Sequence, residues 1–348
     1  MNHARPTIQQ MTGYVPGEQS RGAKVVKLNT NENPYPPSPK VAEAIRAAAG
    51  GSLERYPDAA ATAFRIAAAD ALGVDPDWVL CGNGSDDILT IATRTFVGEG
   101  EVIRYPSPSY VLYQTLADIQ GAAADVVPFE RDWSLGFRFT QPADRLKLAF
   151  LANPNSPSGT VLAPGEVAAV ADALPCPLLV DEAYGDFAET NCLGLVTSNG
   201  RILVSRSLSK SYALAGIRFG FVVAQPALVE QMAKVKDSYN CDAISIAAAT
   251  AAISDRAWLE ENVAKVNATR GRLADALREL GFDLTDSQAN FVWAVHPTAD
   301  HQAIYQQLKE QGVLVRYMRY AEWGDGLRVS VGTDGQVDAF LSLVRDLV

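Results

Sequence analysis

The chain has 348 residues, 48% of them hydrophobic and 20% charged, and a formal net charge of −10 at pH 7. This length exceeds one compact core, so we expect two subdomains. The negative charge argues against nucleic acid and anionic membrane surfaces as general partners. The sequence has no apolar stretch long enough to span a bilayer, and residues 1–10 lack the apolar core of a signal peptide.

Cysteine and histidine are sparse. No Cys-x-x-Cys spacing occurs and the histidines lie near the termini, which argues against a disulfide framework, a zinc site or a histidine-based triad. Reduced thiols in the cytoplasm are therefore expected. The residues concerned are Cys81, Cys176, Cys192, Cys241, His3, His296 and His301.

The first 39 residues are rich in Pro, Asn and Gly and predict an irregular arm. Helices are predicted over 38–49, where Ser38 can cap the helix and Pro39 suits its first position, and over 60–72. After these, short apolar runs alternate with helical patterns, which is typical of a mostly parallel sheet with helices on both faces. Strands are predicted at 78–81, 102–103, 126–127, 146–151, 178–180, 202–204 and 219–223.

Helices are predicted at 88–97, 109–119, 164–174 and 226–239, and over 244–280 in two pieces. The tail alternates again, with strands at 290–295, 313–315 and 327–331 and helices at 299–311 and 336–348. This second alternation predicts a smaller α/β domain packed against the first.

One lysine, Lys210, stands among four serines directly after the apolar run 202–204. A strand ending there places Lys210 at the carboxyl edge of the sheet, where open α/β folds build their sites. Arg218 follows between Gly216 and Gly220. An amine, hydroxyls and a guanidinium suit a phosphate-bearing aldehyde held as a Schiff base, of which pyridoxal phosphate is the common case. A solvated Lys/Ser loop is the alternative.

The glycine-rich turn at 82–87 comes between a predicted strand and a predicted helix, so its amides can hold a phosphate at the positive end of the helix. The turn is not a dinucleotide fingerprint, because Asp87 stands at the third glycine position. A capped turn without a ligand is the alternative.

Asp181 follows the apolar run 178–180 and places a carboxylate at the end of a buried strand. A nucleotide hydrolase could use Asp181 and Glu182 for magnesium, but residues 204–209 contain no glycine, so the phosphate loop is missing. The second interpretation pairs the carboxylate with a protonated pyridine nitrogen. The third is a structural partner, such as a basic side chain.

Two further residues suit an aromatic cofactor. An amide in the turn at 153–159 could reach a phenolic oxygen, although such Pro/Asn dipeptides are often ordinary turns. Tyr110, which follows Pro108 and Ser109, could stack on a ring or pack in the core.

Eight short motifs in this order make the chain resemble the class I/II aminotransferases of the fold-type I pyridoxal-phosphate group, over nearly its whole length. They are residues 31–34 (Asn-Glu-Asn-Pro), 55–58 (Arg-Tyr-Pro-Asp), 84–86 (Gly-Ser-Asp), 153–159 (Asn-Pro-Asn-Ser-Pro-Ser-Gly), 181–184 (Asp-Glu-Ala-Tyr), 207–210 (Ser-Leu-Ser-Lys) with 216–220 (Gly-Ile-Arg-Phe-Gly), 289–291 (Ala-Asn-Phe) and 327–329 (Leu-Arg-Val).

The resemblance implies a fold-type I pyridoxal-phosphate-dependent transferase of the α/β class. We expect a large domain with a mostly parallel sheet flanked by helices, a smaller α/β C-terminal domain and an N-terminal arm. The predicted boundaries are 1–48 for the arm and part of the small domain, 49–255 for the large cofactor-binding domain and 256–348 for the small domain.

The resemblance also implies roles around pyridoxal 5'-phosphate. Lys210 would form the Schiff base and then carry a proton between the substrate Cα and the cofactor. Asp181 would pair with the ring nitrogen and Tyr184 with the phenolic oxygen, while Tyr110 stacks on the ring. The predicted phosphate contacts are Ser85, Asp86, Ser207, Ser209, Arg218 and, from the neighbouring subunit, Tyr56.

Substrate contacts follow in the same way. Arg328 resembles the arginine that receives an α-carboxylate, Arg316 would add positive field, and Tyr14 resembles an aromatic that closes over substrate. Asn155 is predicted to contact both cofactor and substrate. The family often has Asn-Asn-Pro where this chain has Asn155-Ser156-Pro157, so either side chain could face the phenolic oxygen.

The implied reaction is transamination of L-histidinol phosphate with 2-oxoglutarate, giving imidazole-acetol phosphate and L-glutamate, by a cytoplasmic homodimer with shared active sites. An aromatic amino-acid aminotransferase and a threonine-phosphate decarboxylase of the same fold stay open as alternatives. A non-enzymatic regulator is a third. Lys210, Asp181 and Arg328 together argue against a regulator, because a binding protein needs no proton shuttle.

Overall fold

A computed structural model describes residues 3–13, 18 and 25–348. The strands in these residues are β1 (Val26–Lys27), β2 (Val79–Gly82), β3 (Val102–Ser107), β4 (Ala123–Pro128), β5 (Leu146–Ala152), β6 (Leu178–Asp181), β7 (Ile202–Ser207), β8 (Gly220–Val223), β9 (Asp283–Leu284), β10 (Phe291–Val295), β11 (Val313–Leu314), β12 (Arg316–Tyr320) and β13 (Gly324–Ser330). The α-helices are α1 (Pro6–Gln10), α2 (Pro39–Ala49), α3 (Thr62–Leu72), α4 (Ser85–Phe96), α5 (Leu112–Gln120), α6 (Pro164–Ala173), α7 (Leu195–Ser198), α8 (Pro226–Val235), α9 (Ala243–Ile253), α10 (Arg256–Glu279), α11 (His301–Glu310) and α12 (Asp334–Arg345).

The central sheet has seven strands in the order β2-β8-β7-β6-β5-β3-β4. The pairs from β7 through β4 are parallel, whereas β8 runs antiparallel to both β2 and β7. The expected mostly parallel sheet is therefore present, with one strand reversed. Its parallel strands all end at one edge, and the loops that follow them meet there.

The inner strands are buried on both faces, which explains their continuous apolar runs. In β6, Leu178 and Val180 pack in the cluster on one face while Leu179 packs in the cluster on the other. Helices α3 and α9 supply the first cluster, through Phe64 and Ala249 for example. The side-chain period of 2 divides each strand between two helical layers.

A second sheet has four antiparallel strands in the order β12-β13-β10-β9. Its core is formed with α10, α11 and α12, through residues such as Leu277, Leu308 and Phe340. β1 pairs in parallel with β11 and ties the N-terminal region to this part of the chain.

Most predicted elements are confirmed, with shifted ends. Ser38 caps α2 by accepting a hydrogen bond from the Lys40 amide at 3.2 Å, as expected, and the region 244–280 divides into α9 and α10. The arm is less irregular than predicted, because it contains α1 and β1. Strand β12 was not predicted at all. The domain boundaries after residues 48 and 255 stay predictions.

No helix among the described residues combines the length and the apolar character that crossing a membrane requires.

Candidate active site

A cavity that is partly open to solvent lies beyond the carboxyl ends of β5, β6 and β7. Side chains from the second sheet close its other side. The fold thus brings together residues far apart in sequence. The predicted site residues that line the cavity are Ser85, Asp86, Tyr110, Asp181, Tyr184, Ser207, Ser209, Lys210, Arg218, Arg316 and Arg328.

One corner of the cavity is built to receive an anion. Helix α4 begins at Ser85, directly after Gly84, whose φ of 86° lets the chain turn sharply from β2. Its first amides point away from the helix without intrahelical partners. Arg218 Nη1 donates to Ser209 Oγ at 3.2 Å, and Arg218 Nη2 lies 3.5 Å from Asp86 Oδ2. Helix terminus, serine hydroxyl and guanidinium therefore converge.

Asp181 is the last residue of β6 and is only 5% exposed. Its Oδ1 accepts hydrogen bonds from the Ala183 amide at 3.2 Å and from Ser205 Oγ at 3.3 Å. Its Oδ2 accepts one from Tyr113 at 3.0 Å. Among the described residues Asp181 makes no ion pair, and burial raises the pKa of its carboxyl to about 6. A buried carboxylate without a cation fits a cationic group bound in the cavity.

Lys210 follows the end of β7 and points its amine between the two sheets. Lys210 Nζ donates to the Thr30 carbonyl at 3.3 Å and lies 5.8 Å from the centroid of the Tyr184 ring. The Tyr184 hydroxyl accepts a hydrogen bond from Asn31 Nδ2 at 2.9 Å. The amine and the phenol therefore share one wall of the cavity.

Buried polar groups hold the Lys210 loop in place. Asn33 Nδ2 donates to the carbonyls of both Lys210 and Ser211 at 3.0 Å. Ser211 Oγ donates to Asp186 Oδ2, and Asp186 pairs with Arg206 at 2.6 Å. These contacts fix the backbone on both sides of the amine, which is what a precisely placed reactive group requires.

The second sheet contributes two arginines to the cavity. Arg316 of β12 and Arg328 of β13 are register partners, and both line the cavity. Arg328 Nη1 donates to Ser156 Oγ at 2.8 Å and Nη2 to the Asn29 carbonyl at 3.3 Å. Its buried Nε has no hydrogen-bond partner within the part of the chain that the structure describes. An orphaned guanidinium N–H beside a cavity fits an anionic ligand.

Two of the predicted residues that the structure describes, Asn155 and Tyr56, do not line the cavity. Asn155 is buried behind it, where Nδ2 donates to the Pro108 carbonyl and to Ser158 Oγ and Oδ1 accepts from Ser109. The sequence left open whether Asn155 or Ser156 faces the phenolic oxygen, and of these two residues Ser156 lines the cavity. Tyr56 is 80% exposed and stacks on Tyr239 with ring centroids 4.4 Å apart. Tyr14 lies outside the described residues.

The residue-by-residue predictions missed the contribution of the segment 29–31. Asn29, Thr30 and Asn31 line the cavity, and buried Asn29 Oδ1 and Thr30 Oγ1 have no hydrogen-bond partner in residues 3–13, 18 and 25–348. A signal was available: Asn29-Thr30-Asn31-Glu32-Asn33 is an unbroken polar run, and its second half belongs to one of the motifs. Met318 of β12, which also lines the cavity, gave no such signal.

The family model for aminotransferases of class I and II matches residues 23–344. The chain belongs to this family. The family's members transfer amino groups, which agrees with the amine, carboxylate and guanidinium groups that meet in the cavity.

Named relatives cover almost the whole chain. A histidinol-phosphate aminotransferase of Rhodopirellula baltica is 59% identical over 342 residues, which is 98% of this chain and 94% of the relative. A histidinol-phosphate aminotransferase of a Nostoc species is 44% identical and covers 100% of this chain and 98% of its own length.

Solved structures agree with the fold. The histidinol-phosphate aminotransferase of Sinorhizobium meliloti, in complex with pyridoxal-5'-phosphate, matches with a TM-score of 0.91 and 27% identity, covering 100% of this chain and 99% of that one. An aspartate aminotransferase variant of Thermus thermophilus matches with a TM-score of 0.83 at 20% identity over 100% of both chains, which supports the fold alone. The expected fold-type I architecture is confirmed.

Proposed function

We propose that this aminotransferase binds pyridoxal 5'-phosphate and transfers the amino group of L-histidinol phosphate to 2-oxoglutarate, giving imidazole-acetol phosphate and L-glutamate in histidine biosynthesis. One observation carries the proposal. A lysine amine, a buried carboxylate without a cation and two arginines face one cavity at the edge of the sheet. The relatives named for this activity, at up to 59% identity, support the choice of substrate.

The cavity has a group for each part of the cofactor. The first amides of α4 at Ser85 and Asp86, with Arg218, would hold the phosphate, together with the hydroxyls of Ser207 and Ser209. Asp181 would hold the ring nitrogen, Tyr184 the phenolic oxygen, and Tyr110 would cover a ring face. Bound there, the cofactor would act as an electron sink for the substrate Cα–H bond.

The protein's own residues would then orient substrate and move the proton. The Lys210 amine would take the proton from the substrate Cα and return it at the cofactor carbon. Its present partner, the Thr30 carbonyl 3.3 Å away, would hold the ammonium form between these steps. Buried Asp181 would stay ionised beside the ring nitrogen, because a neighbouring cation lowers the pKa of a carboxyl.

Two half-reactions must use one pocket, because a phosphate ester and a dicarboxylate enter in turn. Arg316 and Arg328 offer two guanidinium groups on adjacent strands, which could receive either anion. Ser156 would steady Arg328 through their 2.8 Å hydrogen bond. The net charge of −10 would repel anionic substrates from the protein as a whole. The two arginines would therefore have to supply the local positive field that attracts these substrates.

We further propose a cytoplasmic homodimer with shared sites. The side chain of Tyr56 is 80% exposed and does not line its own cavity, so its hydroxyl could reach the phosphate corner of a partner subunit. All four cysteines are unpaired and buried, which suits a reducing compartment.

A panel of amino donors tests the substrate. The purified protein with pyridoxal phosphate and 2-oxoglutarate is given histidinol phosphate, histidinol, phenylalanine, tyrosine and threonine phosphate, and glutamate formation is followed. We expect the highest kcat/KM with histidinol phosphate and a large loss with histidinol, the matched control without the phosphate. A preference for phenylalanine or tyrosine, or carbon dioxide release from threonine phosphate, would replace the proposed substrate.

A further inference from the structure

Tyr113 of α5 is a buried titratable residue that none of the motifs includes. It is 0% exposed, and its hydroxyl donates to Asp181 Oδ2 at 3.0 Å. Its ring stacks on Phe150 with centroids 4.8 Å apart and an interplanar angle of 16°. It meets Tyr110 edge-on at 5.7 Å and 86°. Tyr113 therefore contacts two residues assigned to the cofactor ring, Asp181 at the ring nitrogen and Tyr110 at a ring face.

The two oxygens of Asp181 have different donors. Oδ1 accepts from Ala183 and Ser205, whereas Tyr113 is the donor found for Oδ2 among the described residues. A carboxylate oxygen accepts two hydrogen bonds, so Oδ2 keeps one position for a further donor. Burial and the Asp181 charge raise the pKa of the Tyr113 phenol well above its ordinary value, so the hydroxyl stays a donor.

We propose that Tyr113 is a positioning residue that holds Asp181 ionised and aimed at the ring nitrogen of the cofactor. The inference rests on the proposed function, since it assigns Asp181 to that nitrogen. Asp181 and the nitrogen compete for one proton. A hydrogen bond to the carboxylate lowers its proton affinity, so the proton stays on the ring and the ring stays an effective electron sink.

The rigid surroundings of Tyr113 make this control specific. Its ring cannot swing away, because Phe150 covers one face and Tyr110 meets the ring edge-to-face. A fixed donor orients the carboxylate and also keeps it ionised. A carboxylate that contacts a single ring atom must be held in one orientation.

The test compares Tyr113→Phe with Tyr105→Phe. Tyr105 belongs to the same aromatic cluster, with its ring 5.7 Å from that of Tyr113, but its hydroxyl donates to Gln114 and not to Asp181. Each variant is loaded with pyridoxal phosphate carrying 15N in its ring, and the ring-nitrogen chemical shift and the cofactor dissociation constant are measured.

We expect the wild-type protein and Tyr105→Phe to show a protonated ring nitrogen. Tyr113→Phe should shift the signal toward the unprotonated form and weaken cofactor binding about tenfold, as expected for the loss of a hydrogen bond to a charged group. A Tyr113→Phe protein with the wild-type shift and dissociation constant would overturn the inference. Failure of the wild-type protein to bind the cofactor would instead overturn the proposed function.

A double-variant cycle shows whether Tyr113 acts through Asp181. In the Asp181→Asn background, Tyr113→Phe should change neither readout further, and an additional loss there would mean a packing role only. This comparison can still be made if Tyr113→Phe alone fails to fold. In the double variant residue 181 is uncharged, so no buried carboxylate is deprived of its hydrogen-bond donor.

Discussion

Arg316 and Arg328 lie directly opposite each other on β12 and β13 and both face the cavity. Like charges at such a cross-strand position repel each other. An anion bound between the two guanidinium groups would reduce this repulsion. The pair therefore favours a negatively charged ligand. This relationship is the strongest sign that the second sheet supplies the substrate end of the site.

Arg328→Gln should raise KM for both glutamate and 2-oxoglutarate by about tenfold or more, because it removes a charged, fork-shaped donor. Cofactor affinity should change little, since Arg328 belongs to the second sheet, whereas the phosphate corner is formed by α4, Ser209 and Arg218. Steady-state kinetics with each substrate measures the effect. The matched control is Arg319→Gln on the same strand β12, which is exposed and pairs in register with Asp325. Unchanged KM values in Arg328→Gln would exclude the assigned role.

Lys210→Ala should abolish turnover and leave the fold intact, because the amine is assigned both to holding the cofactor and to moving the proton. After incubation with pyridoxal phosphate and reduction by borohydride, mass spectrometry should find label at position 210 in the wild-type protein and none there in the variant. Lys234→Ala is the control, since Lys234 lies on the surface of α8 beside Glu230. Measurable transamination by Lys210→Ala would disprove both assignments.

The sequence predicts elements with continuous apolar runs and misses those without. β6 and β7 are buried on both faces, so their hydrophobic runs were recognisable. β12, with the sequence Arg-Tyr-Met-Arg-Tyr, is only partly buried and has no such run. Its pairing with β13 makes it a strand, and such long-range pairing is invisible to local patterns.

Within the site, the residues that the sequence predicts lie at strand ends, whereas the missed residues are placed by contacts between distant parts of the chain. Asp181 and Lys210 come just at or after strand ends, so the topology of an open sheet predicts their meeting. Asn31 instead reaches the site through contacts with Ser330 and Asn290, which lie 299 and 259 residues away. Its backbone φ of 55° is unusual for a residue other than glycine. The polar run 29–33 draws attention to the segment, but the assembled fold is needed to show that the segment lines the cavity.

Asp181→Asn should change how the stability of the cofactor-free protein depends on pH. Burial raises the folded pKa of Asp181 from its ordinary value of 3.8 to about 6, so the folded state binds the proton more tightly than the unfolded state. The carboxyl's stabilising contribution is complete below about pH 4 and is lost as pH rises through 6. At about 1.4 kcal/mol per pKa unit, the wild type should lose up to about 3 kcal/mol relative to Asp181→Asn between pH 4 and 7.

Urea unfolding of both cofactor-free proteins at several pH values measures this difference. A constant difference across the range would show that Asp181 is ionised throughout in the folded protein. Repeating the series with bound pyridoxal phosphate should remove most of the trend, because a cationic ring nitrogen would keep the carboxylate charged.

Arg206→Met should destabilise the protein by about 3–5 kcal/mol, because it leaves the Glu182 carboxylate buried without a cation. Arg206 Nη2 lies 2.7 Å from Glu182 Oε2, and both side chains are almost fully buried. The Glu182→Gln/Arg206→Met double variant should recover part of the loss, since it removes the charge that needed a partner. Apparent free energies of unfolding in urea provide the comparison. An additive loss in the double variant would contradict the coupling.

Tyr56→Phe should weaken cofactor retention through the partner's site, if the proposed shared dimer is right. Hybrid dimers made from one Lys210→Ala subunit and one Tyr56→Phe subunit show which subunit's site Tyr56 serves. The Lys210 of the second subunit would then share its site with the intact Tyr56 of the first. Cofactor affinity at that site should return to the wild-type value. Affinity equal to that of the Tyr56→Phe homodimer would mean that Tyr56 serves its own subunit, and a monomer by light scattering would exclude sharing.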